Sequence, residues 1–194
     1  MKNKVTLLIL ALLLAVLLGG AYVLYTQLGS EVATEQLQAQ QTQPPEETAS
    51  GSGYTQAPDF TVYDAEGKEV RLSDYFGKPI VLNFWASWCG PCQMEMPDFQ
   101  DQYLELGEQV QFLMVNMTTG RETQNKAEAL IREKGYTFPV LFDTAADAAV
   151  AYSVYSLPTT YFIDAEGNLI AKATGAINTE TLRRGIGMIL PQTE

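Results

Sequence analysis

Three stretches with different hydrophobic patterns divide the chain. From Val5 to Tyr25 an uncharged, mostly apolar run extends without interruption. At ~1.5 Å per helical residue it is long enough to cross a hydrocarbon core of ~30 Å. Lys2 and Lys4 precede it, and no Lys or Arg follows before Lys68. The positive-inside rule then places the N-terminus in the cytoplasm and the rest outside. A cleaved signal peptide would have a shorter apolar core, ~7–15 residues, and a small-residue exit site. Gly19-Gly20-Ala21-Tyr22 offers no clean site, so residues 1–25 read as a retained signal-anchor helix. Residues 26–57 are rich in Gln and Glu, with Pro44-Pro45 and Ser50-Gly51-Ser52-Gly53, and show no periodicity. Such a stretch cannot bury enough surface to offset its ordering entropy, and it reads as a flexible polar linker.

From residue 58 to 194 the pattern is that of a packed domain. Phe60–Tyr63 and Val70–Leu72 flank Asp64-Ala65-Glu66-Gly67 as a hairpin. Pro79–Trp85 is a continuous apolar run, the mark of a strand buried on both faces. The pattern predicts a helix over 91–106 kinked by Pro97, a strand over 110–117 and an amphipathic helix over 123–134 stopped by Gly135. A short strand over 140–142, a helix over 145–152 and a second hairpin, 160–163 with 169–173, follow. A helix over 179–190, weakened by Gly185 and Gly187, closes the chain. The order β-β-β-α-β-α-β-α-β-β-α predicts an α/β fold: a central mixed β-sheet flanked by helices, with an extra N-terminal β-hairpin.

Charge and composition narrow the chemistry. With 12 Lys+Arg against 23 Asp+Glu the formal charge is -11, which argues against nucleic acid as a partner. The 194 residues include no histidine, which removes Ser-His-Asp and Cys-His catalysis, two-His zinc motifs and a haem imidazole. Only two cysteines are present, so a four-ligand zinc site or a Cys-ligated iron–sulfur cluster would need a second chain.

Both cysteines lie in Trp88-Cys89-Gly90-Pro91-Cys92, where a buried strand gives way to a helix. Three residues apart on a helical turn, the two sulfurs can close a small disulfide and reopen it. The N-terminal sulfur faces the unpaired N–H groups at the positive end of the helix, which favours thiolate over thiol. Cys89 is then the nucleophile of disulfide exchange, and Cys92 resolves the mixed disulfide. Pro91 suits the first helical turn, where a missing N–H costs nothing. Three other readings compete: a structural disulfide, a zinc half-site and two idle thiols. Closing so small a loop removes little chain entropy, zinc lacks further ligands here, and idle thiols fit poorly outside the membrane.

The segment Asn83-Phe84-Trp85-Ala86-Ser87-Trp88-Cys89-Gly90-Pro91-Cys92 resembles the active-site segment of the thioredoxin superfamily. Its continuation to Glu95-Met96-Pro97 resembles the membrane-anchored TlpA/ResA-like thiol–disulfide oxidoreductases, and the likeness extends from about Ala57 to Leu190. The resemblance implies a thioredoxin-like fold, with no cofactor other than the redox-active Cys89–Cys92 pair. It implies that Leu157-Pro158 is a cis bond facing the cysteines, with Leu157 presented to a substrate chain. Asn83 stands where thioredoxins carry a buried Asp that shuttles a proton, and Glu95, one turn past Cys92, is its candidate replacement. Trp88 is a candidate contact for partner polypeptide, and Trp85 a core residue.

The resemblance implies partners as well. They are disulfide-bearing envelope proteins, apocytochrome c among them, and a membrane thiol transporter of the CcdA/DsbD type as electron donor. The expected activity is protein-disulfide reduction on the extracytoplasmic side of the cell membrane. A disulfide oxidase and a redox-inactive surface binding module are the alternatives. Copper at Met94 and Met96 is disfavoured, since helical residues two apart do not share a face. Peroxidase chemistry is disfavoured because Leu82, Trp85 and Ala86 stand where a peroxiredoxin has its Pro and Thr. Asn116-Met117-Thr118 matches a glycosylation acceptor by coincidence.

Overall fold

A computed structural model describes residues 37–39, as backbone, and 54–191 with their side chains. The signal-anchor expectation for residues 1–25 lies outside these residues. Among the described residues no helix is long and apolar enough to cross a membrane.

The strands are β1 (Leu37–Ala39), β2 (Thr61–Tyr63), β3 (Glu69–Arg71), β4 (Ile80–Trp85), β5 (Gln111–Asn116), β6 (Val140–Phe142), β7 (Thr159–Ile163) and β8 (Leu169–Thr174). The helices are α1 (Gly90–Leu106), α2 (Gln124–Lys134), α3 (Asp147–Ala151) and α4 (Thr179–Ile189). The strands form one mixed sheet in the order β1-β8-β7-β4-β5-β6-β2-β3. β4, β5 and β6 run parallel, and the flanking pairs are antiparallel. The expected fold class therefore holds.

All six side chains of β4 are buried, as its unbroken apolar run predicts. Their two-residue alternation sorts them to opposite faces. Ile80, Leu82 and Phe84 join Leu113 and Val115 of β5 and Tyr161 and Ile163 of β7 on one face. Val81 and Trp85 join Phe112, Met114 and Phe162 on the other, under Met96 and Phe99 of α1 and Leu182, Ile186 and Ile189 of α4. Asn83 lies between Val81 and Trp85 in the same alternation, so register alone sends its amide toward α1.

Local chemistry explains most boundaries. Thr123 caps α2 by accepting the Lys126 N–H, and Gly135 ends it at φ 70°, a left-handed conformation glycine adopts freely. Asn178 caps α4 by accepting the Thr181 N–H at 2.9 Å. Pro97 lies inside α1, which continues past it to Leu106.

Two parts of the segment read as linker take part in the fold. β1 pairs with the edge of β8, with Leu37 opposite Ala173 and Ala39 opposite Ala171. Gln56 bridges to Asn168, and Ala57 is buried beside Phe60. The ordered domain thus begins before residue 58. A 3-10 turn over Leu72–Tyr75, unforeseen in the pattern, is held by Asp59, which accepts from the Ser73 N–H and the Arg71 guanidinium.

The two helical glycines of α4 have different reasons to exist. A Cβ on Gly185 would lie 2.2 Å from Phe162 Cζ, far inside contact distance, whereas one on Gly187 would meet nothing within 4 Å. Gly185→Ala should therefore destabilise the domain by about 1–3 kcal/mol through overpacking. Gly187→Ala should stabilise it by about 0.5–1 kcal/mol through helix propensity. Urea unfolding of the two variants checks both signs.

Candidate active site

β4 delivers the chain to the top of the sheet, and α1 starts at Gly90 with Cys89 as its N-cap residue. Cys89 and Cys92 are joined in a disulfide, with Cα atoms 5.3 Å apart. The Cys92 N–H donates to Cys89 Sγ at 3.2 Å. One of the first-turn amides that helix geometry leaves unpaired therefore points at that sulfur. Cys89 is 5% exposed and Cys92 0%, so any reagent from solution meets Cys89 first.

The Leu157-Pro158 bond is cis, as the resemblance implied. Pro158 is buried, and Leu157 is partly exposed beside the cysteines. A groove of about 580 Å³ opens here, bordered by Trp88, Cys89, Arg121, Tyr155 and Leu157. Trp88 is 46% exposed and Tyr155 93%, large aromatic surfaces left to solvent at the groove's rim. Trp85 is fully buried core, as expected.

Glu95 sits one turn beyond Cys92 and is only 2% exposed. Its side chain is thus an acid of the interior, not one solvated at the helix start. Its carboxylate accepts from Asn83 Nδ2 at 2.8 Å and from the Ile177 N–H at 2.9 Å. Asn83 Nδ2 also donates to Thr160 Oγ1 at 3.0 Å, while Asn83 Oδ1 has no partner among the described residues. Burial pushes the Glu95 carboxyl up to about 8, against the stabilising pull of the two donors and with a further push from Asp98.

Two residues of the β5–α2 loop complete the site, and neither was singled out from the sequence. Glu122 is buried and accepts from the Ser87 N–H at 2.6 Å and the Ser87 hydroxyl at 2.8 Å, pinning the turn that leads into Cys89. The Arg121 guanidinium lies 3.7 Å from the centroid of the Trp88 ring. A loop acid and a loop base thirty residues downstream carry no sequence signal for such contacts.

Comparison with known proteins agrees with this geometry. Residues 54–172 match the AhpC/TSA family. The chain is 40% identical over 147 residues to the thiol-disulfide oxidoreductase ResA of Geobacillus thermodenitrificans, covering 75% of this chain and 82% of that protein. Against ResA of Bacillus subtilis it is 35% identical over 136 residues, 70% of this chain and 74% of that one. This chain belongs to the ResA-like thiol–disulfide oxidoreductases of the thioredoxin superfamily. Among solved structures it is similar to a putative thiol:disulfide interchange protein DsbE from Chlorobium tepidum. There the TM-score is 0.64 at 29% identity over 71% of this chain and 97% of that one. StoA from Bacillus subtilis gives a TM-score of 0.59 at 26% identity over 66% and 96%. The protein is accordingly an oxidoreductase of thiol–disulfide exchange.

Other residues weighed from the sequence of this ResA-like chain lie apart from the site's chemistry. Met94 is 70% exposed and Met96 is 1% exposed, one side chain at the surface and the other in the core. Asn116 is fully buried at the end of β5, where a glycan could not be attached.

The Glu95 environment has a sign that can be measured. The folded protein holds this proton up to about 8, whereas the unfolded chain releases it near 4.5. Between those values the native state binds more protons, so its stability falls as pH rises. In Glu95→Gln that loss should vanish. The variant should gain on the parent, by more than ~1 kcal/mol, between pH 5 and pH 9 in urea unfolding of the oxidised protein.

Proposed function

We propose that this protein is a membrane-tethered, extracytoplasmic reductase of protein disulfides. The observation that carries the proposal is the unequal pair of sulfurs at one helix end. Cys89 borders the groove under a backbone N–H, and Cys92 is sealed behind it.

In the reduced protein the Cys89 thiolate attacks one sulfur of a partner disulfide. A Cys89–partner bond forms, the partner S–S bond breaks, and the displaced partner sulfur takes up a proton. Cys92, deprotonated, then attacks Cys89 Sγ, forming the Cys89–Cys92 disulfide and releasing the second partner thiol. The partner gains two electrons and two protons; this protein supplies both electrons and the Cys92 proton, and the second proton comes from solvent, to which the Cys89 thiolate had released its own. A dithiol donor of the CcdA/DsbD type in the membrane restores the reduced pair by the same exchange in reverse. Apocytochrome c and other envelope proteins with accessible disulfides are the substrates.

Trp88 and Leu157 are the groove surfaces against which the partner chain lies, and the buried cis Pro158 sets how Leu157 is presented. Leu157 offers backbone for strand-like pairing. Glu95, hydrogen-bonded to Asn83 behind Cys92, tunes the thiols and holds a proton near the resolving sulfur. No cofactor beyond the cysteine pair is required. Residues 5–25 serve as the single-pass anchor that holds the domain at the membrane, with Lys2 and Lys4 setting the orientation.

Insulin-disulfide reduction should disappear in Cys89→Ser, and Cys92→Ser should accumulate a covalent mixed disulfide visible on a non-reducing gel. Activity surviving the first substitution would overturn the assignment. The Gly-Pro pair between the cysteines matches thioredoxin, so the midpoint potential should fall near the reducing end of the ~-270 to -120 mV range. A value at the oxidising end would instead support the disulfide-oxidase reading.

A further inference from the structure

We propose that Arg121 is a specificity-determining residue that selects partner disulfides carrying an acidic side chain beside the attacked cysteine. The inference rests on the exchange reaction through Cys89 and adds the chemistry of the partner.

The chain as a whole repels acidic partners, with 23 acidic against 12 basic residues. The groove at Cys89 is the exception. No Asp or Glu lines it, and Arg121 does. The guanidinium lies 3.7 Å from the Trp88 ring centroid, and Trp88 is the residue next to Cys89. Stacking on the ring holds the guanidinium plane while its N–H edges stay open to solvent. Arg121 is exposed, and it takes no part in the salt bridges found among the described residues.

The carboxylate adjacent in sequence does not neutralise it. Glu122 is turned inward, accepting from Ser87 and from the Thr123 N–H. A second cation stands close by on the first turn of α2: Lys126 Nζ donates to the Arg121 carbonyl at 2.7 Å. A polypeptide whose disulfide lies over Cys89 thus brings its neighbouring side chain against a prepositioned, unpaired guanidinium. The planar fork of donors matches a carboxylate in two-point contact, and a Lys or Arg there would be repelled.

Two synthetic peptides with the same intramolecular disulfide, one flanked by Glu and one by Lys, test this. Reduced full-length protein in detergent is mixed with each, and the second-order rate of exchange is measured. The parent should prefer the Glu peptide by about fivefold at low salt, the scale of one exposed ion pair. The preference should shrink toward unity at about 0.5 M salt. Arg121→Lys should keep its sign, and Arg121→Glu should reverse it. The ratio of the two rates does not depend on how much of a variant is folded, nor on a general change in Cys89 reactivity. An identical ratio in the parent and Arg121→Glu overturns the inference while leaving exchange intact. If the parent reduces neither peptide faster than Cys89→Ser does, the exchange reading itself is overturned, and this inference with it.

Discussion

The structure turns on one weak hydrogen bond, from the Cys92 N–H to Cys89 Sγ. Helix geometry leaves the first-turn amides without intrahelical partners, and here a sulfur takes the place a Ser or Asp oxygen fills in an ordinary N-cap. That substitution has consequences in both directions. A neutral sulfur is a poor acceptor, so the cap contributes little to stability in the oxidised state. A thiolate at the same place is a strong one, so the helix end gains most when the disulfide opens. That gain makes the sulfur nucleophilic and, because it stabilises the reduced form, limits how reducing the pair can be. The arrangement holds only if the helix start is fixed relative to the sheet. That is the role of β4, buried on both faces, and of Glu122, which binds the intervening turn through Ser87.

Much of this was legible in the sequence because it is written in local patterns. The apolar run of β4, the Gly-Pro pair at the helix start and Gly135 at a helix end each carry their own physical signature. What escaped depends on contacts between distant segments. Glu95 could be read as a surface acid at a helix N-terminus or as a buried one, since the dipole favours an acid in either case. Only the packing of α1 over Asn83 and Ile177 decides between them. The buried stripe of α1 includes Glu95 and Gln102, polar residues that blur its amphipathic pattern. Arg121 over Trp88 and Glu122 on Ser87 join loops more than thirty residues apart, with no periodicity to betray them. The pairing of Leu37–Ala39 with the β8 edge was likewise invisible, because so short a segment gains its order from the neighbouring strand and not from itself.

Asn83 and Glu95 are best understood together. In the thioredoxins that this segment resembles, the position of Asn83 is held by a buried carboxylate. Here a carboxylate arrives from the helix instead, 2.8 Å from the same spot. Two acids at that distance in a site closed to water could not both ionise, and one would be forced to keep its proton. An amide at 83 removes the conflict: it donates to Glu95 and to Thr160 and brings no charge of its own. The unpaired Asn83 Oδ1 is the remaining cost. Below about pH 8 Glu95 remains largely neutral, so it opposes the helix dipole little. The amide at position 83 and the acid on the helix are thus complementary, since the donor the strand offers is one the buried carboxyl accepts.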